Sequence, residues 1–207
     1  MELTVLKKMN MTAVIEKVKF NSGLQFTPVV LGDFQMPTVN WKYASLKHVM
    51  EQESTNDTVR QIVSQCPLQN KHKRVLIDIK VQHLTPDVTS CIPGWHIDGP
   101  GNPLHPSKPE VHHLYIHEEG GETEFIAEPF ELEIDEEMSH AQIVKLIPSN
   151  IKITKTKACQ FATFTRFDFH RGINVQKPMT RLLVRLTETD TILPSNKPYK
   201  NAVGTKL

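Results

Sequence analysis

The chain has 207 residues, enough to bury one sizeable hydrophobic core, and no low-complexity linker divides it, so we expect a single domain spanning residues 1–207. Its 24 Lys and Arg residues nearly balance its 23 Asp and Glu residues. This balance excludes a strong positive electrostatic field around the whole protein, of the kind that would attract it to nucleic acid or to an anionic membrane.

The first twenty residues, "MELTVLKKMNMTAVIEKVKF", alternate apolar residues with lysine. They contain no unbroken apolar run of the length found in a signal peptide or a membrane span. The cysteines Cys66, Cys91 and Cys159 are odd in number and lack paired spacing, which favours a reducing compartment. We therefore expect a soluble, cytoplasmic protein without a membrane partner.

Short β-rich runs recur along the chain and are separated by turn signals such as "NSG", "EEGG" and "KPM". The runs are "MTAVIEKVKF", "RVLIDIKVQHL", "VHHLYIH", "ETEFIAEPFEL", "QFATFTRFDF" and "TRLLVRLTET". This pattern predicts a mainly β domain, a sandwich or a barrel. We interpret the acidic run "ELEIDEEMSH" as a solvated edge or loop, and residues 194–207 as a surface arm or a partly disordered tail.

One segment, residues 44–66, spaces its apolar residues in the helical manner. The polar stretch "ESTND" lies near its middle and is expected to divide it into two helices. A few helices in the N-terminal region should therefore accompany the strands.

The stretch "GWHIDGPGNP" places two strong metal-ligand types, His96 and Asp98, two positions apart. On an extended strand their side chains project to the same side, while those of Trp95 and Ile97 project to the other. Imidazole nitrogen and carboxylate oxygen together suit a divalent metal. The pair alone is weak evidence in a chain with ten histidines, and we choose His170 in "FDFHRG" as the third ligand.

Residues 181–186 alternate two arginines with apolar residues. Arg181, Leu183 and Arg185 share one face of the predicted strand, and if the opposite face packs against another layer, the arginines point into the interior. A buried guanidinium without a partner is very costly, and an anionic ligand would offset that cost. The alternative is that both arginines pair with acidic residues or lie on a solvated face.

The motifs "HID", "YIHEEGGETEF" and "FHRG", the last followed by an arginine eleven residues on, resemble those of the iron(II)- and 2-oxoglutarate-dependent dioxygenases. The "GGETEF" stretch is similar to the turn and strand of the prolyl-hydroxylase-like branch. The resemblance covers residues 75–189. It implies a double-stranded β-helix, a cupin-like jelly roll, as the catalytic core, with residues 1–74 as a supporting region and 190–207 as a tail.

Position by position, the resemblance makes His96, Asp98 and His170 the iron ligands. It makes Arg181 the residue that holds the distal carboxylate of 2-oxoglutarate, a task that suits the planar guanidinium fork. Iron(II), 2-oxoglutarate and O₂ are therefore the implied cofactor and co-substrates, with ascorbate as a supporting reductant.

Three further co-substrate contacts follow from the same resemblance, at Tyr115, Thr123 and Arg185. Thr123 has the alternative of being an ordinary strand former, and Arg185 that of a structural ion pair. Four histidines near the loop after Asp98 are expected to be surface or hydrogen-bonding residues rather than ligands: His105, His112, His113 and His117.

The implied activity is hydroxylation of a small metabolite or an amino-acid side chain, with succinate and carbon dioxide as co-products. A hydroxylase or demethylase acting on a nucleobase, and a non-catalytic metal-binding jelly-roll module, are the alternatives. The loop "GPGNPLHPSKPEVH" begins directly after Asp98 and is expected to overhang the site and help select the substrate.

Overall fold

The computed structural model describes residues 15–89, 91–198 and 205–206, and in this part of the chain antiparallel strands predominate over a few short helices. The mainly β class predicted from the sequence is confirmed. The strands are β1 Glu16–Phe20, β2 Gln25–Pro28, β3 Trp41–Ser45, β4 Arg74–Leu84, β5 Val88–Thr89, β6 Val111–Ile116, β7 Thr123–Ile126, β8 Phe130–Ile134, β9 Ile153–Lys155, β10 Gln160–Thr165, β11 His170–Gly172, β12 Met179–Thr189, β13 Lys197–Pro198 and β14 Thr205–Lys206. The helices are α1 Leu46–Glu51, α2 Asp57–Ser64 and α3 His140–Lys145.

The largest sheet has seven antiparallel strands in the order β13-β3-β4-β12-β6-β10-β2. A three-stranded sheet, β11-β7-β9, and the pairs β1-β8 and β14-β5 complete the described β structure. At the centre, β4 and β12 pair along their whole length, with Arg185 opposite Asp78 and Arg181 opposite Gln82. Directly opposed residues share a face, so this register gathers the charged side chains on one side of the sheet.

The other face of the large sheet packs against the helices. Leu182, Val184 and Leu186 of β12 are buried in one apolar cluster with Val59 and Ile62 of α2. The two predicted helices are confirmed as α1 and α2, and the break between them ends at Asn56, whose side chain caps α2 by accepting from the backbone N–H of Val59.

A second apolar cluster fills the space between the large sheet and the three-stranded sheet. Leu114, Phe164 and Leu183 come from the large sheet, and Phe125 comes from β7. The rings of Phe125 and Phe164 lie 5.1 Å apart, edge to face. The alternation predicted for β12 is therefore observed, since Leu183 and the arginines face this interior.

Two predicted strands are divided in the structure. The run "ETEFIAEPFEL" forms β7 and β8, which belong to different sheets and are separated by residues 127–129. The run "QFATFTRFDF" ends as a strand at Thr165 and continues as a turn that leads into β11. The acidic run "ELEIDEEMSH", interpreted as a solvated edge or loop, contains most of the edge strand β8, with Glu131 and Glu133 exposed. It ends at the cap of α3, where Ser139 and Gln142 form a capping box.

The ends of the chain are described only in part. Residues 11–14 of the first predicted strand lie outside the described residues, as do 199–204 and 207 of the predicted tail. Lys197 and Pro198 are exposed, as expected for a surface arm, but they pair with β3 as a short strand. Among the described residues, no helix combines the length and apolar character needed to cross a membrane.

A buried acid joins the large sheet to the loop before β4. The Glu188 carboxylate accepts hydrogen bonds from the backbone N–H groups of Gln69, at 2.6 Å, and Lys71, at 3.3 Å, and its Oε1 lies 2.9 Å from His113 Nε2. Burial alone would raise the pKa of Glu188, but the hydrogen bonds from His113 and Gln69 outweigh it and lower that pKa. The ionised form therefore stabilises the fold.

Replacing Glu188 by Gln should lower the free energy of unfolding at neutral pH by about 1 to 3 kcal/mol, because buried donors lose a charged acceptor. A lowered folded pKa gives stability that is present above the ordinary glutamate value of 4.5 and is lost as the pH falls below it. The difference between wild type and Glu188→Gln in urea unfolding should thus shrink as the pH is lowered through 4.5. A difference that stays constant with pH would contradict this role.

Candidate metal centre

His96 and His170, far apart in sequence, form a reciprocal backbone pair. The N–H of His96 donates to the carbonyl of His170, and the N–H of His170 donates to that of His96, each at 2.9 Å. Their ring centroids are 4.2 Å apart, and both residues are buried. The backbone pairing therefore brings the two imidazole rings close together.

The neighbours of the two histidines anchor this pair in the core. Ile97 and Phe169 belong to one buried apolar cluster with Phe20, and the rings of Phe169 and Phe20 lie 5.0 Å apart. Side chains alternate along extended chain, so burying Ile97 and Phe169 on one side directs His96 and His170 to the other.

The ring nitrogens of both histidines are oriented for metal binding. Nδ1 of His96 lies 3.1 Å from the carbonyl oxygen of Gly94, and Nδ1 of His170 lies 3.0 Å from that of Asp168. A carbonyl oxygen can only accept, so Nδ1 carries the proton in each ring and Nε2 has its lone pair available. This is the usual arrangement of a histidine that binds a metal through Nε2.

Asp98 completes the group. One potential ligand atom from each of His96, Asp98 and His170 lies within 4.8 Å of the others, and Asp98 Oδ1 is 3.8 Å from His170 Nε2. The three residues predicted as ligands are thus brought together. Two imidazoles and one carboxylate can hold a divalent cation.

The charges around Asp98 favour its ionised form. Its Oδ2 lies 3.4 Å from Arg185 Nη1 and 3.7 Å from His112 Nε2. Burial would raise the pKa of Asp98, but electrostatic interactions with His112, His170 and Arg185 outweigh that effect and hold the pKa well below its usual range. Asp98 therefore offers a charged oxygen at neutral pH.

His170 is neutral at the same pH. Burial lowers the pKa of His170 to about 4, although the charge of Asp98 acts in the opposite direction. A metal must displace a proton from a charged imidazole but not from a neutral one. Both His170 and Asp98 are thus in the protonation state that a metal requires.

Arg185, predicted to contact a co-substrate, instead lies in an ion-pair network. Its Nη2 and Nε bind Asp78 Oδ2 at 2.7 and 3.2 Å, and its Nη1 reaches Asp98. The other oxygen of Asp78 accepts from the backbone N–H of Tyr43 at 2.8 Å. Burial would lower the pKa of Arg185, but Asp78 and Asp98 raise it overall, so the guanidinium bridges the two acids in its charged form.

Arg181 is wholly buried, with an exposed fraction of 0%. It donates through Nε to Gln82 Oε1 at 2.9 Å and through Nη1 to the carbonyl oxygen of Gly121. Burial lowers its pKa to about 10, so the guanidinium remains charged at neutral pH. A Cβ at Gly121 would lie 2.8 Å from Arg181 Cδ, which explains a glycine at this position.

Thr123 lies on the inner face of β7, the face of Phe125. Arg181 shares the inner face of β12 with Arg185, which contacts Asp98. Thr123 and Arg181 therefore border the same interior as the metal ligands. Burial raises the pKa of the Cys91 thiol in this region to about 11.

Tyr115 is not brought to this interior. It lies opposite Val184 in the sheet, so its side chain is on the face that packs against the helices. Its hydroxyl contacts His117 Nδ1 at 3.0 Å and Cys159 Sγ at 3.7 Å. The sequence places Tyr115 beside the glycine turn but does not show which face of β6 turns inward.

His112 contributes to the site, which sequence reasoning missed. It lies opposite Thr187 on the inner face, contacts Thr187 Oγ1 at 3.1 Å through Nδ1, and directs Nε2 toward Asp98. The signal was the alternation within "VHHLYIH", which gives His112 the same face as Leu114. His105 lines the adjoining cavity, whereas His113 and His117 are on the opposite face of β6 or at its end.

A cavity of about 340 Å³ adjoins Asp98. Gly99, Pro100 and Ser107 of the loop after Asp98 line this cavity, as does Thr191. The loop that was expected to overhang the site thus lines the cavity beside Asp98, and its part in substrate selection stays a prediction.

Comparisons with protein-family models, curated proteins and solved structures found no significant match. A His-Asp-His group alone does not identify a reaction, because several divalent metals use these donors. The functional argument therefore depends on what surrounds the group.

Removing one ligand should weaken the binding of a divalent metal by about 100-fold or more, because the remaining two donors cannot complete the site. We expect this result for Asp98→Ala and His170→Ala when zinc(II) or iron(II) binding is measured by calorimetry. His83→Ala, which removes an exposed histidine on β4, is the matched control and should bind as wild type. Wild-type affinity in Asp98→Ala would exclude Asp98 as a ligand.

Gly172 should be essential for the geometry of the site. A Cβ at this position would lie 2.5 Å from the backbone nitrogen of Cys91 and 2.6 Å from its carbonyl oxygen. Gly172→Ala should therefore push β11 away from residues 91–92 and lower both stability and metal affinity, by about 1 to 3 kcal/mol in unfolding. Gly32→Ala, where the nearest atom would be 3.6 Å away, is the control, and equal effects of the two changes would contradict this reasoning.

Proposed function

We propose that the protein is an iron(II)- and 2-oxoglutarate-dependent dioxygenase, a hydroxylase of a small metabolite or an amino-acid side chain. The observation that carries this proposal is that His96, Asp98 and His170 border the same interior as the fully buried, charged Arg181, which shares a face of β12 with Arg185, a contact of Asp98. Two histidines and one carboxylate with open positions form the facial set used by non-haem iron(II) oxygenases.

The donor set fits iron(II). Nε2 of His96, Nε2 of His170 and a carboxylate oxygen of Asp98 would hold the ion, and three protein donors leave positions for exogenous ligands. When bound, iron(II) would promote the reaction of 2-oxoglutarate with O₂, which gives succinate and carbon dioxide and oxidises the substrate. The protein binds, orients and shields the reactants.

Arg181 fits the distal carboxylate of 2-oxoglutarate. Its guanidinium donates to Gln82 Oε1 and Gly121 O, which help to fix its orientation, and it is charged at neutral pH. A carboxylate is the natural complement of a fixed guanidinium fork. Thr123 borders the same interior and keeps its proposed contact with the co-substrate.

Arg185 has a different proposed role. Because it bridges Asp78 and Asp98, it would orient the ligand carboxylate rather than hold 2-oxoglutarate. Partners of this kind fix the direction of a metal ligand. Tyr115 has no place in the proposed co-substrate site, since its side chain is on the opposite face of β6.

A double-stranded β-helix core is part of the same proposal. In support, a large antiparallel sheet and a smaller three-stranded sheet enclose an interior filled by Leu114, Phe125, Phe164 and Leu183. The metal ligands and Arg181 border this interior. Two sheets packed in this way are the architecture of jelly rolls.

Arg181→Ala should weaken 2-oxoglutarate binding by about 100-fold, because losing a buried charge-assisted contact costs about 2 to 5 kcal/mol and each 1.4 kcal/mol is a factor of ten. Arg181→Lys keeps the charge but loses the fork, so it should be intermediate. Calorimetry of the iron-loaded protein under anaerobic conditions gives the affinity, and succinate release in air gives the activity. Arg60→Ala, which removes an arginine of α2 paired with Asp57, is the control.

Iron affinity should change little in Arg181→Ala, because the residue is not a ligand. Unchanged 2-oxoglutarate binding in this variant would refute the assignment of Arg181. A wild-type protein that binds iron(II) but neither binds 2-oxoglutarate nor releases succinate would instead be a metal-binding module without this activity.

A further inference from the structure

The turn between β10 and β11 supplies a buried cation to the cavity beside the metal centre. Arg166 lies in this turn, four residues before His170, and lines the same cavity as Asp98 and His112. Only 7% of Arg166 is exposed. The segment that contains the candidate ligand His170 thus also contains the buried guanidinium of Arg166.

Arg166 is held in place by uncharged acceptors. Its Nη2 donates to the carbonyl oxygen of His105 at 2.7 Å, and its Nη1 donates to Ser107 Oγ at 3.1 Å. Both acceptors belong to the loop after Asp98. Among the described residues, no carboxylate forms an ion pair with Arg166, and its buried Nε has no hydrogen-bond partner.

The other charged groups of the cavity already have partners. Glu110 accepts hydrogen bonds from the hydroxyls of Thr189 and Thr191, Lys108 lies 3.6 Å from Asp190, and Asp98 pairs with Arg185. Among the described residues, Arg166 is the cation of this lining that has only neutral partners, since the other, Lys108, lies beside Asp190. Keeping a buried cation in this state is costly unless an anion binds beside it.

We propose that this cavity binds a small substrate through an anionic group, a carboxylate or a phosphate, held by Arg166. The inference rests on the proposed function, because it takes the cavity beside Asp98 as the substrate site. A volume of about 340 Å³ suits a small molecule or a single side chain. The anion would bind at Arg166, while the rest of the substrate extends toward Asp98.

The test uses pairs of probes that differ only in charge. The protein is loaded with zinc(II) and saturated with 2-oxoglutarate, so that Arg181 and the metal are occupied and no turnover occurs. The N-acetyl amino acids are compared with their C-terminal amides, and pentose and hexose phosphates with the parent sugars, by ligand-observed NMR. The two sets distinguish a carboxylate from a phosphate as the recognised group.

We expect at least one anionic probe to bind at least about tenfold more tightly than its neutral counterpart, since charge-assisted hydrogen bonds contribute more to binding than neutral ones. Arg166→Gln should remove that preference, and Arg166→Lys should retain part of it. Arg60→Gln, the same change of charge on α2, should behave as wild type. Metal and 2-oxoglutarate affinities of Arg166→Gln should match wild type, which verifies that the variant is folded.

The inference is overturned if neutral and anionic probes bind equally, if no anionic probe binds, or if Arg166→Gln keeps the preference. Loss of metal binding in both Arg166→Gln and Arg166→Lys would also overturn it, because Arg166 would then only support the fold around His170. Failure of the proposed function has a separate signature, namely wild-type protein that does not bind 2-oxoglutarate or release succinate.

Discussion

The candidate metal centre depends on the two backbone hydrogen bonds that His96 and His170 exchange. His96 is in an irregular segment and pairs with β11 at a single position, so the ligand set is not carried by a long strand. The burial of Ile97 and Phe169 in a shared apolar cluster holds this short pairing together. Hydrophobic packing therefore determines where the imidazoles lie, and a metal would bind to donors that are already close.

The electrostatics of the interior follow from the register of β4 and β12. This register places Asp78 opposite Arg185, and the resulting ion pair extends to Asp98. Asp98 is consequently ionised; its Oδ2 contacts Arg185, and its Oδ1 lies 3.8 Å from His170 Nε2. Because Arg185 is charged without a metal, the apo and metal-bound states can both keep this carboxylate charged.

The sequence predicted features that depend on local alternation, and it failed where long-range register decides. Spacing within one segment predicts which residues of β12 share a face. It likewise predicts that the side chains of His96 and Asp98 lie on the same side of the chain, and that two helices form in the N-terminal region. Tyr115 was assigned to the interior because of its place before the glycine turn, but the β6–β12 register turns it toward the helices. The proximity of His112 to Asp98 depends on the same register, and no local pattern encodes it.

Three arginines border the interior and its adjoining cavity, and their partners distinguish their roles. Arg185 has two carboxylate partners, whereas Arg181 and Arg166 donate to uncharged oxygens. An arginine paired with acids contributes little net charge to a ligand, while one oriented by neutral acceptors, as Arg166 is, keeps its field for an incoming anion. If Arg181 and Arg166 each bind a separate anion, a metal held by Asp98 would lie near separate sites for two molecules, and the proposed reaction, in which O₂ oxidises both 2-oxoglutarate and a substrate, needs a site for each.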